Sequence, residues 1–352
     1  MKDLIVPPEI SILEAMKTLD KTAGKCLIVV AENNKLMGTL TDGDLRRSIL
    51  AGSRFSENIS TSYHTEPTVL FKDSYTLEAA KKLLGSGKLD LIPIVDENHL
   101  IVDYVTWSTV GAENQLEKSL TDVPVVIMAG GKGTRLEPFT KIMPKPLVPV
   151  HEKPIIEHII ERFTKLGCND FYITINYMGK ILKAYFEELH PEYQVNFVEE
   201  REPLGTAGSL CFLNGKFNQN FFVTNCDIII KADYVSLYKF HQKGDYDVTL
   251  VASAKEYVIP YGTCELNDDG YLSHINEKPS YDFLINTGLY VLNPDVLELI
   301  PENKFYHITQ LIEAAKNQGK KVGVYPIDDD SWVDVGQWNE YKKAINSLDN
   351  WQ

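Results

Sequence analysis

The sequence is short of positive charge: 35 Lys and Arg stand against 49 Asp and Glu in 352 residues, a formal net charge of −14. A chain with that balance has no general attraction for a nucleic-acid duplex or an anionic membrane, so neither is expected as a partner. Any anionic substrate must be held by a local cluster of donors, with a metal ion to help. Cysteine is scarce as well. Cys26, Cys168, Cys211, Cys226 and Cys264 are odd in number and scattered, with no C-x-x-C pair to suggest zinc or a redox couple, and they fit a reducing compartment. Long apolar runs are missing: none approaches the roughly 20 residues of a membrane span, and Met1 to Ile10 is acidic and proline-broken. A soluble cytoplasmic protein is expected. The eight histidines show no ligand spacing, and His307 reads as packing.

What remains is ordinary globular usage, 44% hydrophobic and 24% charged, with length for two to three domains at roughly 150 residues each. The first 110 residues contain an internal repeat. Leu13-Glu14-Ala15 recurs as Leu77-Glu78-Ala79, Leu27 to Val30 as Leu91 to Ile94, and Asn34-Lys35-Leu36 as Asn98-His99-Leu100, at an offset of 64; one inserted residue then aligns Thr41 with Thr106. Each copy reads as helix, buried strand, polar turn and second strand, so two copies bury together what neither buries alone.

This order, with Gly38-Thr39-Leu40-Thr41-Asp42-Gly43-Asp44-Leu45-Arg46-Arg47 after the second strand, resembles a tandem CBS domain, a family whose cleft often holds adenosine nucleotides. The resemblance implies that Thr41 and Asp44 approach phosphate and ribose of a regulatory nucleotide. The second copy has Thr106 but Thr109 where the Asp belongs. A plain helix cap, with Asp42 or Asp44 accepting from free N–H groups, is the other reading of the same residues.

The polar stretch Gly111 to Asp122 has no apolar periodicity and marks a boundary. The expected organisation is a tandem module at 1–112, a linker at 113–122 and a second domain at 123–352. From Pro124 onward, strand-like runs (Val125 to Met128, Phe171 to Ile175, Val195 to Val198, Phe221 to Thr224, Val248 to Ala252) alternate with helical patterns at Ile155 to Leu166 and Tyr234 to Lys243. That alternation predicts an α/β fold, a mostly parallel sheet with helices on both faces, whose chemistry lies in loops after strand ends.

The strongest motif follows the first of these strands: Ala129-Gly130-Gly131-Lys132-Gly133-Thr134-Arg135-Leu136, then Pro138, Thr140 and Pro144-Lys145-Pro146-Leu147. Three glycines in four residues let backbone N–H groups curl around an anion such as phosphate. Lys132, Arg135, Lys141 and Lys145 supply the local positive cluster. The order matches neither a P-loop nor the dinucleotide-binding fingerprint.

Ala129 to Val150 resembles the signature of the sugar-1-phosphate nucleotidyltransferases, the sugar-nucleotide pyrophosphorylases. The likeness continues through Leu204-Gly205-Thr206-Ala207-Gly208, Asn225-Cys226-Asp227, Glu277-Lys278-Pro279, Asn286-Thr287-Gly288 and Trp332-Val333-Asp334-Val335-Gly336, covering roughly residues 123 to 345. It implies a Rossmann-like, glycosyltransferase-A-type sheet and a Mg²⁺-dependent transfer of a nucleotidyl group from a nucleoside triphosphate to a sugar-1-phosphate. Cys226 departs from the family, which has Gly before the metal-binding Asp.

In that reading Ala129, Gly130, Gly131, Lys132, Gly133, Thr134, Gly205 and Thr206 bind the nucleotide. Arg135 neutralises the leaving pyrophosphate, Lys145 bridges the two reacting phosphates, and Asp227 and Asp334 hold Mg²⁺. Gly262, Glu277, Lys278 and Asn286 face the sugar. Taken singly, each Asp reads as a turn former or helix cap, and Glu277 with Lys278 as a solvated pair. Lys132 and Pro-Lys-Pro-Leu-Val-Pro-Val resemble the guanylyltransferase branch that acts on mannose- or heptose-1-phosphates. The CBS-plus-transferase order resembles glucosamine-1-phosphate guanylyltransferases of bacterial sialic-acid-like sugar pathways. GTP with a hexosamine-1-phosphate, in a homo-oligomer, is therefore expected. The alternatives are UTP, dTTP or CTP as donor, and an inactive nucleotide-sensing protein.

Overall fold

The computed structural model describes residues 2–347 except 23, 73, 88, 108 and 111–118. Most of the expected linker thus lies outside the described residues. Its end is not a free tether, because Leu120 is buried and its N–H donates to Leu166 O at 2.9 Å. The chain forms two compact units: Met1–Asn114 with Ser253–Ile285 and Pro326–Asp330, and Gln115–Ala252 with Asn286–Tyr325 and Ser331–Gln352. The first therefore takes in two segments from beyond residue 123.

In the first unit the chain runs β1 (Ile5–Val6), α1 (Ile12–Thr22), β2 (Cys26–Val30), β3 (Leu36–Thr41) and α2 (Asp42–Leu50). It continues through β4 (Leu70–Phe71), α3 (Leu77–Gly87), β5 (Leu91–Val95) and β6 (Ile101–Thr106). The sheets β1-β2-β3 and β4-β5-β6 share one topology, a parallel then an antiparallel pairing. β2 and β5 are buried throughout, as their unbroken apolar runs require. Leu36 N–H donates to His99 O and Ile101 N–H to Asn34 O, both at 3.0 Å, which stitches the copies together over Cys26, Ile28, Val30 and Leu91.

The structural offset between copies is 65 throughout, not 64 with a later insertion. Ile12 and Leu77 begin equivalent helices, Ala15 and Ala80 are both fully buried, and Asn34 and His99 share left-handed φ values of 61° and 60°. The Leu-Glu-Ala identity sits one residue out of register because burial, not identity, fixes which helix face meets the sheet.

The second part of the chain contains β7 (Val125–Met128), the short β8 (Pro149–Val150) and β9 (Lys153–Pro154), α4 (Ile155–Thr164), β10 (Asp170–Ile175), α5 (Gly179–Leu189) and β11 (Gln194–Glu199). Next come β12 (Phe221–Asn225), β13 (Ile228–Ile230), α6 (Tyr234–Gly244), β14 (Val248–Val258), β15 (Thr263–Leu266), β16 (Leu272–Asn276) and β17 (Ser280–Leu292). α7 (Ile308–Asn317), β18 (Val322–Asp328), β19 (Trp332–Asp334) and α8 (Trp338–Ser347) complete it.

The main sheet has the order β11-β10-β7-β12-β17-β14-β18. β7, β10, β11 and β12 are mutually parallel neighbours, and β17 runs antiparallel to β12. β7 is central and wholly buried, so each of its four apolar side chains contributes about 1.5–3 kcal/mol of burial and fixes where the loop after Met128 emerges. α4 lays Ile155, Ile156, Ile159, Ile160 and Phe163 inward at helical spacing. No helix among the described residues is long and apolar enough to cross a membrane.

Candidate active site

The carboxyl ends of β7, β10, β11 and β12 surround a cleft of about 480 Å³ within the second unit. Its lining includes Gly130 to Arg135, Lys145, Glu200, Gly205, Thr206, Asn225, Cys226, Asp227 and Phe305. Loops collect there because parallel strands end together on one edge.

The glycine loop is shaped as its composition predicts. Gly133 has φ 65°, and a Cβ there would stand 2.9 Å from Thr140 Cγ2 and 3.0 Å from Lys145 Cβ, so only glycine allows the turn to close over the lysine stem. Thr140 Oγ1 donates to Gly133 O at 2.9 Å and holds the turn. The N–H groups of Gly130 through Thr134 donate no hydrogen bond within the described chain, leaving them for an anion. Ala129 differs: its N–H is engaged by Thr174, at 3.1 Å from both the carbonyl and the hydroxyl. Lys132 and Arg135 are exposed at the rim, whereas Lys141 pairs with Glu137 at 3.1 Å and is not among the cleft-lining residues.

The deepest charges converge. β13 and β19 pair antiparallel with Ile228 opposite Asp334, and Val335 N–H donates to Asp227 O at 2.9 Å. The two aspartates, remote in sequence, are thereby neighbours. Lys145 pairs through Nζ with Asp227 Oδ2. A Cβ on Gly336 would lie 2.4 Å from Asp227 Oδ2, 2.9 Å from Asp334 Oδ1 and 2.9 Å from Lys145 Nζ, so three charged groups meet where this glycine leaves room. Burial pushes the Asp334 carboxyl up, with the Asp227 charge adding to it, against the lowering effect of the Gly336 N–H bond at 2.8 Å and of Lys145 and Arg135. Cys226 is buried; burial and Asp227 push its thiol up to about 12, so it stays protonated.

Gly205 has φ 81°, and a Cβ there would meet Tyr306 O at 2.7 Å. The Thr206 hydroxyl accepts from Ile308 N at 3.0 Å, capping α7, so its side chain is structural. Asn286 donates to Tyr290 OH at 2.8 Å and accepts from Gly288 N at 3.1 Å; it is not among the cleft-lining residues. Gly262 and Glu277 face one another in the first unit, where a Cβ on Gly262 would stand 3.0 Å from Glu277 Oε2. Lys278 follows there with φ 47°.

Thr41 and Asp44 engage each other. Thr41 N–H and Oγ1 donate to Asp44 Oδ2 at 2.8 and 2.6 Å, and Asp44 N–H returns a bond to Thr41 Oγ1 at 3.2 Å. This capping box at the start of α2 is worth about 1 kcal/mol. In the second copy the Thr109 hydroxyl accepts from Thr106 N–H and donates to Thr106 O, both at 2.8 Å.

Sequence reasoning missed Glu200, which is buried beside the cleft. Its Oε2 accepts from Leu204 N at 3.2 Å, and a Cβ on Gly130 would lie 2.8 Å from its Oε1. Burial pushes this carboxyl up, against the lowering effect of the Leu204 N–H bond. It was legible only as one acid among many in Val-Glu-Glu-Arg-Glu. Phe305, 59% exposed and lining the cleft, was missed too; its open ring face can stack against a planar group.

A family model described as nucleotidyl transferase matches residues 124–350, and one described as CBS domain matches residues 1–51. The mannose-1-phosphate guanyltransferase of Schizosaccharomyces pombe is 34% identical over 226 residues, covering 61% of this chain and 61% of that protein. That of Saccharomyces cerevisiae is 34% identical over 237 residues, covering 63% and 65%. The chain thus spans less than two thirds of the length of these relatives. Among solved structures, HddC from Yersinia pseudotuberculosis matches with a TM-score of 0.51 at 25% identity, over 64% of this chain and 99% of that one. A UDP-glucose pyrophosphorylase complexed with UDP-glucose matches in fold, with a TM-score of 0.50 at 21% identity, over 65% and 99%.

Proposed function

We propose that this chain, which belongs to the nucleotidyl transferase family, transfers a guanylyl group from GTP to a sugar-1-phosphate. A phosphate oxygen of the sugar-1-phosphate attacks the α-phosphorus in line; the new P–O bond forms as the bond to the β-phosphate bridging oxygen breaks, and pyrophosphate leaves. The attacking oxygen is already ionised at neutral pH, so no general base is needed. Two polyanions must be brought together, and neutralisation with alignment supplies the catalysis. The convergence of Lys145, Asp227 and Asp334 at Gly336 carries this reading.

Each residue has a distinct task. The free N–H groups of Gly130 to Thr134 hold the triphosphate, Arg135 meets the leaving pyrophosphate, and Lys145, framed by Pro144 and Pro146, neutralises the α-phosphate. Asp227 and Asp334 fit Mg²⁺: two hard carboxylates lie side by side, and a glycine leaves space at their meeting point. When bound, the ion would neutralise phosphate charge and align the reacting groups.

Glu200 supports GTP. Guanine presents two adjacent donors, N1–H and the N2 amino group, to an acceptor-only carboxylate, whereas uracil and thymine present one donor between carbonyls. Buried polar groups left unpaired by the wrong base discriminate strongly. A hexosamine-1-phosphate, for bacterial surface-glycan or sialic-acid-like sugar synthesis, is the favoured acceptor; mannose-1-phosphate is the second reading, from the relatives at 34% identity. A regulatory nucleotide over Thr41 and Asp44 would have to compete with their mutual bonds, and a homo-oligomer remains part of the proposal. Pyrophosphate release over a grid of four triphosphates and several sugar-1-phosphates, repeated with Asp227→Asn, tests the whole: a flat grid overturns the enzyme reading.

A further inference from the structure

We propose that Phe305 is the stacking platform for the nucleobase and favours a purine over a pyrimidine triphosphate. The inference rests on the transferase reading above and adds to it a residue that contacts the base face. Among the described residues Phe305 is the only aromatic side chain lining the cleft, and it is 59% exposed there. Its backbone is nevertheless held on both sides. Tyr306 N–H donates to Leu204 O at 2.9 Å, while Tyr306 O accepts from Ala207 N–H at 3.0 Å and from Gly208 N–H at 3.1 Å. A Cβ on Gly208 would stand 2.7 Å from Lys304 O, and one on Gly205 would stand 2.7 Å from Tyr306 O, so the chain before and after Phe305 is pressed onto the Leu204 to Gly208 loop. The ring itself rests against His307, with centroids 4.8 Å apart and planes at 83°. An aromatic group fixed in this way loses little freedom when a planar group settles on its open side.

The surroundings fit a base rather than a phosphate. Pro203, Leu204 and Gly205 line the cleft with no polar side chain. Glu200 Oε2 accepts from Leu204 N–H at 3.2 Å, and Leu204 O accepts from Tyr306 N–H, so one hydrogen-bonded chain joins the acceptor carboxylate to the segment that carries the ring. Lys145, Asp227 and Asp334 form a separate cluster at Gly336. The cleft therefore offers charged groups in one place and a ring, apolar walls and one acceptor in another. A nucleoside triphosphate is divided in the same way, into a polyanionic tail and a flat base with a polar edge. The two base contacts read different properties. Stacking is available to every base and grows with ring area, so it separates purines from pyrimidines, while an acceptor at the edge separates guanine from adenine.

The test compares Phe305→Ala, Phe305→Leu and Phe305→Tyr in the full chain by isothermal titration with GTP, with UTP and with inorganic triphosphate, and by steady-state kinetics. Phe305→Ala and Phe305→Leu should weaken GTP binding about tenfold and UTP binding less, with inorganic triphosphate, which has no base, within about twofold of wild type. The KM for the sugar-1-phosphate should also stay within about twofold. Phe305→Tyr, which keeps the ring, should bind GTP as wild type does. GTP binding that is unchanged in Phe305→Ala, restored in Phe305→Leu, or weakened no more than that of inorganic triphosphate overturns the proposal. A side chain this exposed can be replaced without loss of the core, and Phe305→Leu decides should Phe305→Ala not fold. Base-dependent GTP binding without pyrophosphate release on any sugar-1-phosphate would remove the transferase reading and leave the platform standing. Pyrophosphate release with the same GTP KM in Phe305→Ala would do the reverse, and a wild-type protein that binds no triphosphate would overturn both.

Discussion

Lys145 and Asp227, 82 residues apart, are ion-paired with side chains only 9% and 13% exposed. A pair so withdrawn from water needs its partners, since removing one leaves an uncompensated charge. Here it would leave Asp227 beside Asp334. Lys145→Met should therefore lower kcat by about 10²–10³. Pyrophosphate release at saturating substrates measures it, and a loss below tenfold would count against the assigned role.

Gly336→Ala inserts one methyl where three charged groups meet, with contacts of 2.4 to 2.9 Å. Its effect should fall on the metal: the Mg²⁺ concentration for half-maximal rate should rise at least about tenfold, excess Mg²⁺ should restore part of the rate, and EDTA should abolish it in wild type. Isothermal titration with Mg²⁺ reads the same change without turnover. A variant with wild-type Mg²⁺ dependence would displace the ion from this position.

Glu200→Gln replaces a pure acceptor with a mixed donor and acceptor. The expected outcome is a fall in kcat/KM for GTP of about 10- to 100-fold with UTP and dTTP nearly unaffected. Competition between triphosphates in one reaction gives the ratio directly. Equal losses for all bases would make Glu200 a support for the Gly130 loop rather than a reader of guanine.

Asp328 is buried, and its carboxyl is pushed up to about 6 by burial and by Asp330, with Lys17 opposing. A folded-state value above the unfolded one means the fold holds that proton longer. Its stability contribution is intact below about pH 4 and is lost as pH rises towards 6. Asp328→Asn should match wild type near pH 4 and be more stable at pH 7.5, by on the order of 1 kcal/mol. Thermal melts across that range check the sign.

Exposed stretches of the chain gave weaker signals than buried ones. The strands from Val125 to Thr224 were readable because a buried parallel strand must be an apolar run, and the glycine loop because a turn that closes over Thr140 and Lys145 tolerates no Cβ at Gly133. The repeat was readable, but its register was not: Leu-Glu-Ala suggested 64, while the buried faces of α1 and α3 set 65. Thr41 and Asp44 were identifiable as a pair, yet only their hydrogen bonds reveal a reciprocal cap.

The amino-acid order alone determined the α/β alternation and the glycine-rich loop with its cluster of Lys and Arg, because each is a local consequence of side-chain size, charge or periodicity; the two aspartates stood out only through the family resemblance. Tertiary structure alone decided that Asp227 and Asp334 are neighbours, that Glu200 turns inward beside Gly130, and that residues 253–285 pack with the N-terminal module. Those are facts of strand pairing and packing between remote segments, and no local pattern encodes the partner across the gap.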